Sequence, residues 1–325
     1  MRKVKSLSVA AFVCVLIAAA GAAFAAYPEK SITVLQGFSA GGGSDTLAQL
    51  TQPYLEKVIG QSFINQYIPG ATGAIAWTQL AKTAKKDAYT LSITNTPMLQ
   101  TNYIMNSEIA YTIRELEPLA NVVTDPGIIV VAKDSPYKTA QEFFQAARDN
   151  PGKITVGNSG VGGDDFFTIL IFEKNSGLKF QQIPFEGDGP SWQAAMGGKI
   201  DASFNNLGIT FPQVKAGNLR ALAVFSEERY EGLADIPTAK ELGYNIVSGS
   251  SRGYSAPKGI PAEAREILIG AFKKMAEMPE FRKACADRAS IVDLKFGEDY
   301  AKMLSDQEAQ FKIIWEEVRE QYQGK

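Results

Sequence analysis

The 325-residue chain contains no histidine and only two cysteines. Histidine is the commonest general base near neutral pH and the commonest metal ligand, so its absence removes the Ser-His-Asp triad and much acid–base chemistry. Cys14 lies inside a leading apolar run, which leaves Cys285 as the one thiol of the remaining chain. No internal disulfide can then form, and no zinc site can be assembled. The sequence therefore predicts no metal, no cofactor and no catalytic residue, and Cys285 reads as packing. Positive charge is also scarce, with 33 Lys and Arg against 35 Asp and Glu. Binding to nucleic-acid phosphates needs a basic surface, so nucleic acid is excluded as a partner. There is no low-complexity tract, no charge block and no short-period repeat of the kind that builds solenoids.

What is present begins with a targeting signal. Arg2, Lys3 and Lys5 precede an apolar run over residues 9–20, and Ala23-Phe24-Ala25 supplies the small-x-small pattern of a cleavage site. The run is short for a membrane span of roughly 20 residues. Residues 1–25 are read as a signal peptide, with the exported chain starting near Ala26. Removing three positive charges from a chain of net charge −2 leaves −5. Ala11-Phe12-Val13 before Cys14 lacks the small residues of a lipoprotein site, so a lipid anchor is not expected.

From residue 31 short apolar runs alternate with helical segments, the pattern of a parallel sheet covered on both faces. Strands are expected at 32–36, 63–67 and 89–94. Helices are expected at 45–59, bent or split by Pro53, and at 74–82. After Asp125-Pro126-Gly127 the alternation resumes, with strands at 128–132, 153–157, 180–184, 200–205 and 219–225. Helices are expected at 139–148, 165–175, 189–196 and 209–215 between them. Two helices at 261–278 and 298–321 follow, the last with an apolar stripe that would dock it on the first lobe. The length exceeds one ordinary core. The fold class is thus α/β with two lobes: residues 26–124 plus 248–325 in the first, and 125–247 in the second.

Three glycine-rich turns each stand between a strand and a helix: Phe38-Ser39-Ala40-Gly41-Gly42-Gly43-Ser44-Asp45, Pro69-Gly70-Ala71-Thr72-Gly73, and Asn158-Ser159-Gly160-Val161-Gly162-Gly163-Asp164-Asp165. Glycine lets a backbone approach a ligand, and the free N–H groups at a helix start favour an anion. In open α/β sheets such turns lie where ligands bind. One such turn would mean little, since most are tight connections that hold nothing; three, two in one lobe and one in the other, favour a carboxylate held between lobes. Asp164 and Asp165 admit two readings: helix-capping residues, or partners of an amino group or hydroxyl on the solute. Gly249-Ser250-Ser251-Arg252-Gly253 fits the G-x-S-x-G hydrolase pattern, but without a histidine it is a chance match in a small-residue loop.

The ordered motifs carry a resemblance. Residues 27–34, Tyr-Pro-Glu-Lys-Ser-Ile-Thr-Val, followed by Gly41-Gly42-Gly43-Ser44-Asp45 and Gly60-Gln61, resemble the opening of the Bug family, the solute receptors of tripartite tricarboxylate transporters. Pro69-Gly70-Ala71-Thr72-Gly73, Asp87-Ala88-Tyr89-Thr90-Leu91, Pro184-Phe185-Glu186-Gly187, Gly197-Gly198-Lys199-Ile200-Asp201, the 217–223 segment, Asp235-Ile236-Pro237-Thr238 and Ala256-Pro257-Lys258-Gly259-Ile260-Pro261 continue it in order. The resemblance implies a two-lobed periplasmic-binding-protein-like fold with a ligand cleft between lobes. It implies ligand contacts from Phe38, Ser39, Ala40, Gly41, Gly70, Ala71, Thr72, Thr94 and Asn95 in the first lobe. In the second it implies Ser159, Gly160, Gly163, Asp164, Asp165, Phe185 and Asn205. Ser39 stands where the family often has proline, residues 46–49 lack its usual arginine, and Ala88 replaces a glycine. The implied protein is a monomeric periplasmic solute-binding protein, not an enzyme. It would take a small carboxylate or amino acid and pass it to membrane transporter subunits. A sensory receptor for a membrane kinase and an enzyme on a similar scaffold are the alternatives.

Overall fold

The computed structural model describes residues 27–38, 40, 43–185, 187–288 and 290–321. The proposed signal peptide lies outside them, as do Ser39, Gly41 and Gly42.

In the first lobe β1 (Ile32–Gln36) lies between β2 (Phe63–Tyr67) and β3 (Thr90–Thr96), all three parallel. Helix α1 (Gly43–Ile59) follows β1, α2 (Ala74–Lys82) follows β2, and α3 (Met98–Met105) follows β3. Pro53 does not split α1. The carbonyl it leaves without an intrahelical partner belongs to Gln49, which is exposed, so water can take the lost bond.

The chain does not turn at Asp125-Pro126-Gly127. A single strand, β4 (Leu116–Ala132), runs through it from one lobe into the other. Its first part, through Pro126, pairs with β9 (Gly249–Pro257), which also pairs with β3. Its last part pairs with β7 (Ala202–Asn206) and β8 (Leu219–Val224). Pro126 is tolerated because β4 leaves β9 at this residue and enters the second sheet from Gly127. Parallel β5 (Thr155–Asn158) and β6 (Gln181–Pro184) complete the second sheet. Helices α4 (Ala140–Asp149), α5 (Asp164–Ser176), α6 (Asp188–Met196) and α7 (Leu207–Lys215) cover it. The loop expected at 249–253 is thus part of strand β9. Its small residues suit a strand enclosed between two others.

The chain returns through α8 (Ala262–Glu277), α9 (Pro279–Ala286) and β10 (Val292–Phe296), which pairs with β4, to α10 (Glu298–Val318). The helix expected to dock on the first lobe packs on both. Tyr300 and Leu304 join Trp77 and Tyr111 in the first. Phe311, Ile314 and Trp315 enter the core of the second, where the Phe311 ring is 5.1 Å from Phe167. A helix of 21 residues is about 30 Å long, enough to reach from one core to the next.

Candidate functional site

The two first-lobe turns meet. A Cβ on Gly37 would lie 2.8 Å from the Gly73 Cα, so the backbones of the two turns touch. The second turn is conformationally unusual: Gly70, Ala71, Thr72 and Gly73 all have positive φ, at 137°, 45°, 52° and 90°. Two non-glycine residues in the left-handed region are strained, and such strain gathers at ligand sites. Among the described residues the N–H groups of Ala71 and Thr72 make no hydrogen bond, while Asn102 Nδ2 donates to the Thr72 carbonyl at 3.1 Å and braces the loop from α3. Phe38 packs edge-on to Trp77, centroids 6.2 Å apart. Ser44 in the first turn of α1 donates to Asn95 Oδ1 at 2.9 Å. Thr94 faces the other way, as alternation along a strand requires, and its hydroxyl lies 3.0 Å from that of Tyr300. Ala88, the glycine substitution noted above, holds φ 65°.

The second-lobe turn faces these loops. Asn158 Oδ1 accepts from the Gly160 N–H at 2.9 Å, and Gly160 and Gly162 have φ of 116° and 90°. Thr101 of α3 donates across the lobes to the Gly162 carbonyl at 2.8 Å, and Met105 lies against Gly162. Phe185 closes over Gly157 and Gly160. Asn205 is turned inward: its Nδ2 donates to the Asp188 carbonyl at 3.1 Å and fixes the start of α6.

Asp164 and Asp165 are both buried, 5% and 1% exposed. They occupy the first two positions of α5, whose cap is Gly163, without a side-chain capping bond. Asp164 Oδ2 accepts from Asn206 Nδ2 at 2.5 Å. Two further carboxylates join them, Asp125 of β4 and Asp188 at the start of α6. Burial pushes Asp125 up to about 6, against the pull of Arg252 and the Gly208 N–H. Burial raises Asp164 as well. Burial, then Asp164 and Asp188, push Asp165 well above the usual carboxylate range. Asp188 is raised by burial and by Asp164.

Sequence reasoning missed Arg252. It projects from β9 to 3.7 Å from Asp125, and its Nε is buried without a hydrogen-bond partner. A Cβ on Gly43 would lie 2.6 Å from that Nε, so the guanidinium lies over the first turn of α1. Its one sequence signal is being the only charged residue in Gly249–Pro257. An open groove of about 1100 Å³ lies on the other face of β4, lined by Thr124, Pro126, Cys285 and Asp293 among others; it takes in none of the predicted ligand residues.

The Thr101–Gly162 bond ties the lobes in the arrangement described. Thr101→Val should leave the fold intact and weaken solute binding by about 3- to 10-fold, the worth of one hydrogen bond of about 1 kcal/mol. Titration calorimetry checks this; unchanged affinity would show that the contact does not hold the lobes together.

Residues 47–319 match the tripartite tricarboxylate transporter family receptor. The chain belongs to this family. The receptor is 33% identical over 286 residues to a Cupriavidus necator protein described as "UPF0065 protein in gbd 5'region", covering 88% of this chain and 84% of that one. A solved TctC solute binding protein from Polaromonas is 29% identical, with a TM-score of 0.76 over 90% of this chain and 99% of its own. The periplasmic binding protein BugD is 25% identical, with a TM-score of 0.77 over 90% and 98%. These similarities confirm the two-lobed periplasmic-binding-protein fold and the Bug-type receptor resemblance.

Proposed function

We propose that this receptor works in the periplasm, takes a small organic carboxylate between its lobes, binds it without turnover and hands it to the membrane subunits of a tripartite tricarboxylate-type transporter. The supporting observation is the first-lobe cradle. Two backbone turns touch each other, the Ala71 and Thr72 N–H groups make no hydrogen bond among the described residues, and the Arg252 guanidinium lies over the start of α1. All three favour a carboxylate. The lobes meet across this cradle through Thr101 and Gly162. The leader sequence, the family membership and the periplasmic relative agree with export.

A thermal-shift screen of mono-, di- and tricarboxylates, including amino acids, tests the proposal. A ligand at about 100 times its dissociation constant should stabilise the protein by roughly 2.7 kcal/mol. Gly43→Ala should then weaken binding of that ligand by at least about ten-fold, because the new methyl displaces a charge-assisted donor. The fold should survive, since the displaced atoms end a flexible side chain. A panel in which no carboxylate stabilises the protein would overturn the reading, and equal affinity in Gly43→Ala would remove Arg252 from it.

A further inference from the structure

The acidic group in the second lobe is not accounted for by a carboxylate receptor. Asp125 and Asp164 have partners of their own: Asp125 has Arg252 and the Gly208 N–H at 2.7 Å, and Asp164 has Asn206. Asp165 and Asp188 are less well supported: Ser159 donates to Asp165, and the two carboxyls otherwise lie within hydrogen-bonding reach of one another. Among the described residues neither forms an ion pair, and neither Asp165 Oδ2 nor Asp188 Oδ1 meets a hydrogen-bond donor. Asp165 is 1% exposed, so bulk solvent does not reach it. Two carboxyls facing one another in this way must share a proton or receive a cation. Their position favours the cation. They sit at the starts of α5 and α6, beyond the carboxyl ends of β5 and β6, on the edge that faces the first-lobe cradle across the Thr101–Gly162 contact. A metal ion does not fit: among the described residues no three acidic or sulfur side chains are arranged to hold one.

We infer that Asp165 and Asp188 form an ammonium subsite, so that the solute is a zwitterion or a cation, an amino-bearing carboxylate with no net negative charge. This deepens the receptor proposal and rests on it: the carboxylate end lies in the first-lobe cradle and the amino end in the second lobe. The local charge argues against a net-negative solute. Asp125, Asp164 and Asp188 share the Arg252 guanidinium and Asp165 lies against Asp164 and Asp188, so an added anion would meet more repulsion than attraction. The bound ammonium takes the place of the shared proton, which leaves to solvent.

The test is calorimetric titration of the purified protein with matched pairs. Neutral and basic amino acids, β-alanine and 4-aminobutyrate are compared with the same carboxylates lacking the amino group, with succinate and glutarate, and with putrescine. The expected result is an amino-bearing carboxylate that binds at least about ten-fold tighter than its deaminated analogue. That preference should fall to near unity in Asp165→Asn. Asp188→Asn serves as the second variant if the first fails to fold. Repeating the titration in two buffers of different ionisation enthalpy should show net proton release near pH 6, absent from Asp165→Asn. A purely structural acid pair would not produce that signal. A tightest binder without an amino group, or an amino preference that survives both variants, would overturn the inference and leave the carboxylate receptor standing. Binding of putrescine without any carboxylate would overturn the carboxylate receptor, and with it the amino-bearing carboxylate as solute. No binding by any member would overturn both.

Discussion

Replacing Gly253 by valine should yield a protein that is barely folded or not folded at all. An added Cβ would lie 2.2 Å from the Ala120 carbonyl oxygen and 2.9 Å from the Asn121 Cα. Both are backbone atoms of β4, and neither can swing aside as a side chain would. Gly253 is paired with Thr94 of β3 on one side and Asn121 of β4 on the other. The β4 register already shifts at this level, so the sheet is bulged where glycine lets it close. Forcing the strands apart would break the ladder on one side of β9. It would also loosen the core around fully buried Tyr254, whose hydroxyl lies 2.7 Å from that of Thr51. Overpacking costs about 1–3 kcal/mol where neighbouring side chains can yield. Here the backbone must yield, so a loss of about 4 kcal/mol or more is expected, a large part of a typical total of about 5–15 kcal/mol. Gly270 in α8 is the control. A Cβ there meets nothing within 4 Å, and Gly270→Ala should stabilise by about 0.5–1 kcal/mol. Urea unfolding followed by circular dichroism reads both. An unchanged midpoint for Gly253→Val would show that β4 and β9 do not approach as closely as described.

The contrast between these two glycines shows what the sequence reveals and what it hides. The alternation of strands and helices was legible because β1 and β8 are short apolar runs and the helices between them begin at glycine turns or, as at Thr139, at a capping side chain. The three turns were legible for the same reason. Strand β9 was not, because its Gly-Ser-Ser-Arg-Gly start has the composition of a loop. Only enclosure between β3 and β4 makes small residues a requirement there. Helix α3 was missed because Gln100 and Thr101, polar in sequence, are buried, so no apolar stripe marks it. The acidic group was half visible. Asp164 and Asp165 are adjacent in sequence, but Asp125 looked like a turn residue and Asp188 belongs to a separate helix start. Their convergence with Arg252 is a product of tertiary structure, brought about by one strand crossing between lobes and another returning.

That convergence gives the ligand-free protein an unusual response to pH, the second large effect. Stability should rise as pH falls from about 7 to about 5, the reverse of ordinary carboxylate behaviour. An aspartate in the unfolded chain ionises near 4, whereas folded Asp125 keeps its proton up to about 6. Between those values the folded state binds more protons than the unfolded one, so stability declines as pH rises. Above about 6 the full cost of the charged, buried carboxylate is present, about 3 kcal/mol for Asp125. Asp164, Asp165 and Asp188 are raised too and act with the same sign. Glu117 and Glu308 act oppositely. Their ion partners, Lys258 and Arg265 for Glu117 and Lys312 and Arg114 for Glu308, outweigh burial and hold them low. Their contribution is lost only as pH falls below about 4.5. The chain has no histidine, so none confuses the window between. A melting temperature that peaks near pH 5, declines to about pH 7 and stays low at pH 8 is therefore expected. Asp125→Asn should raise the pH 8 value and flatten the decline, because the amide oxygen can still accept from Gly208 without carrying charge. Thermal unfolding across pH 4.5–8.5 measures both. A melting temperature that climbs steadily to pH 8, or an Asp125→Asn profile parallel to the parent, would mean that these carboxylates are already neutralised in the folded protein.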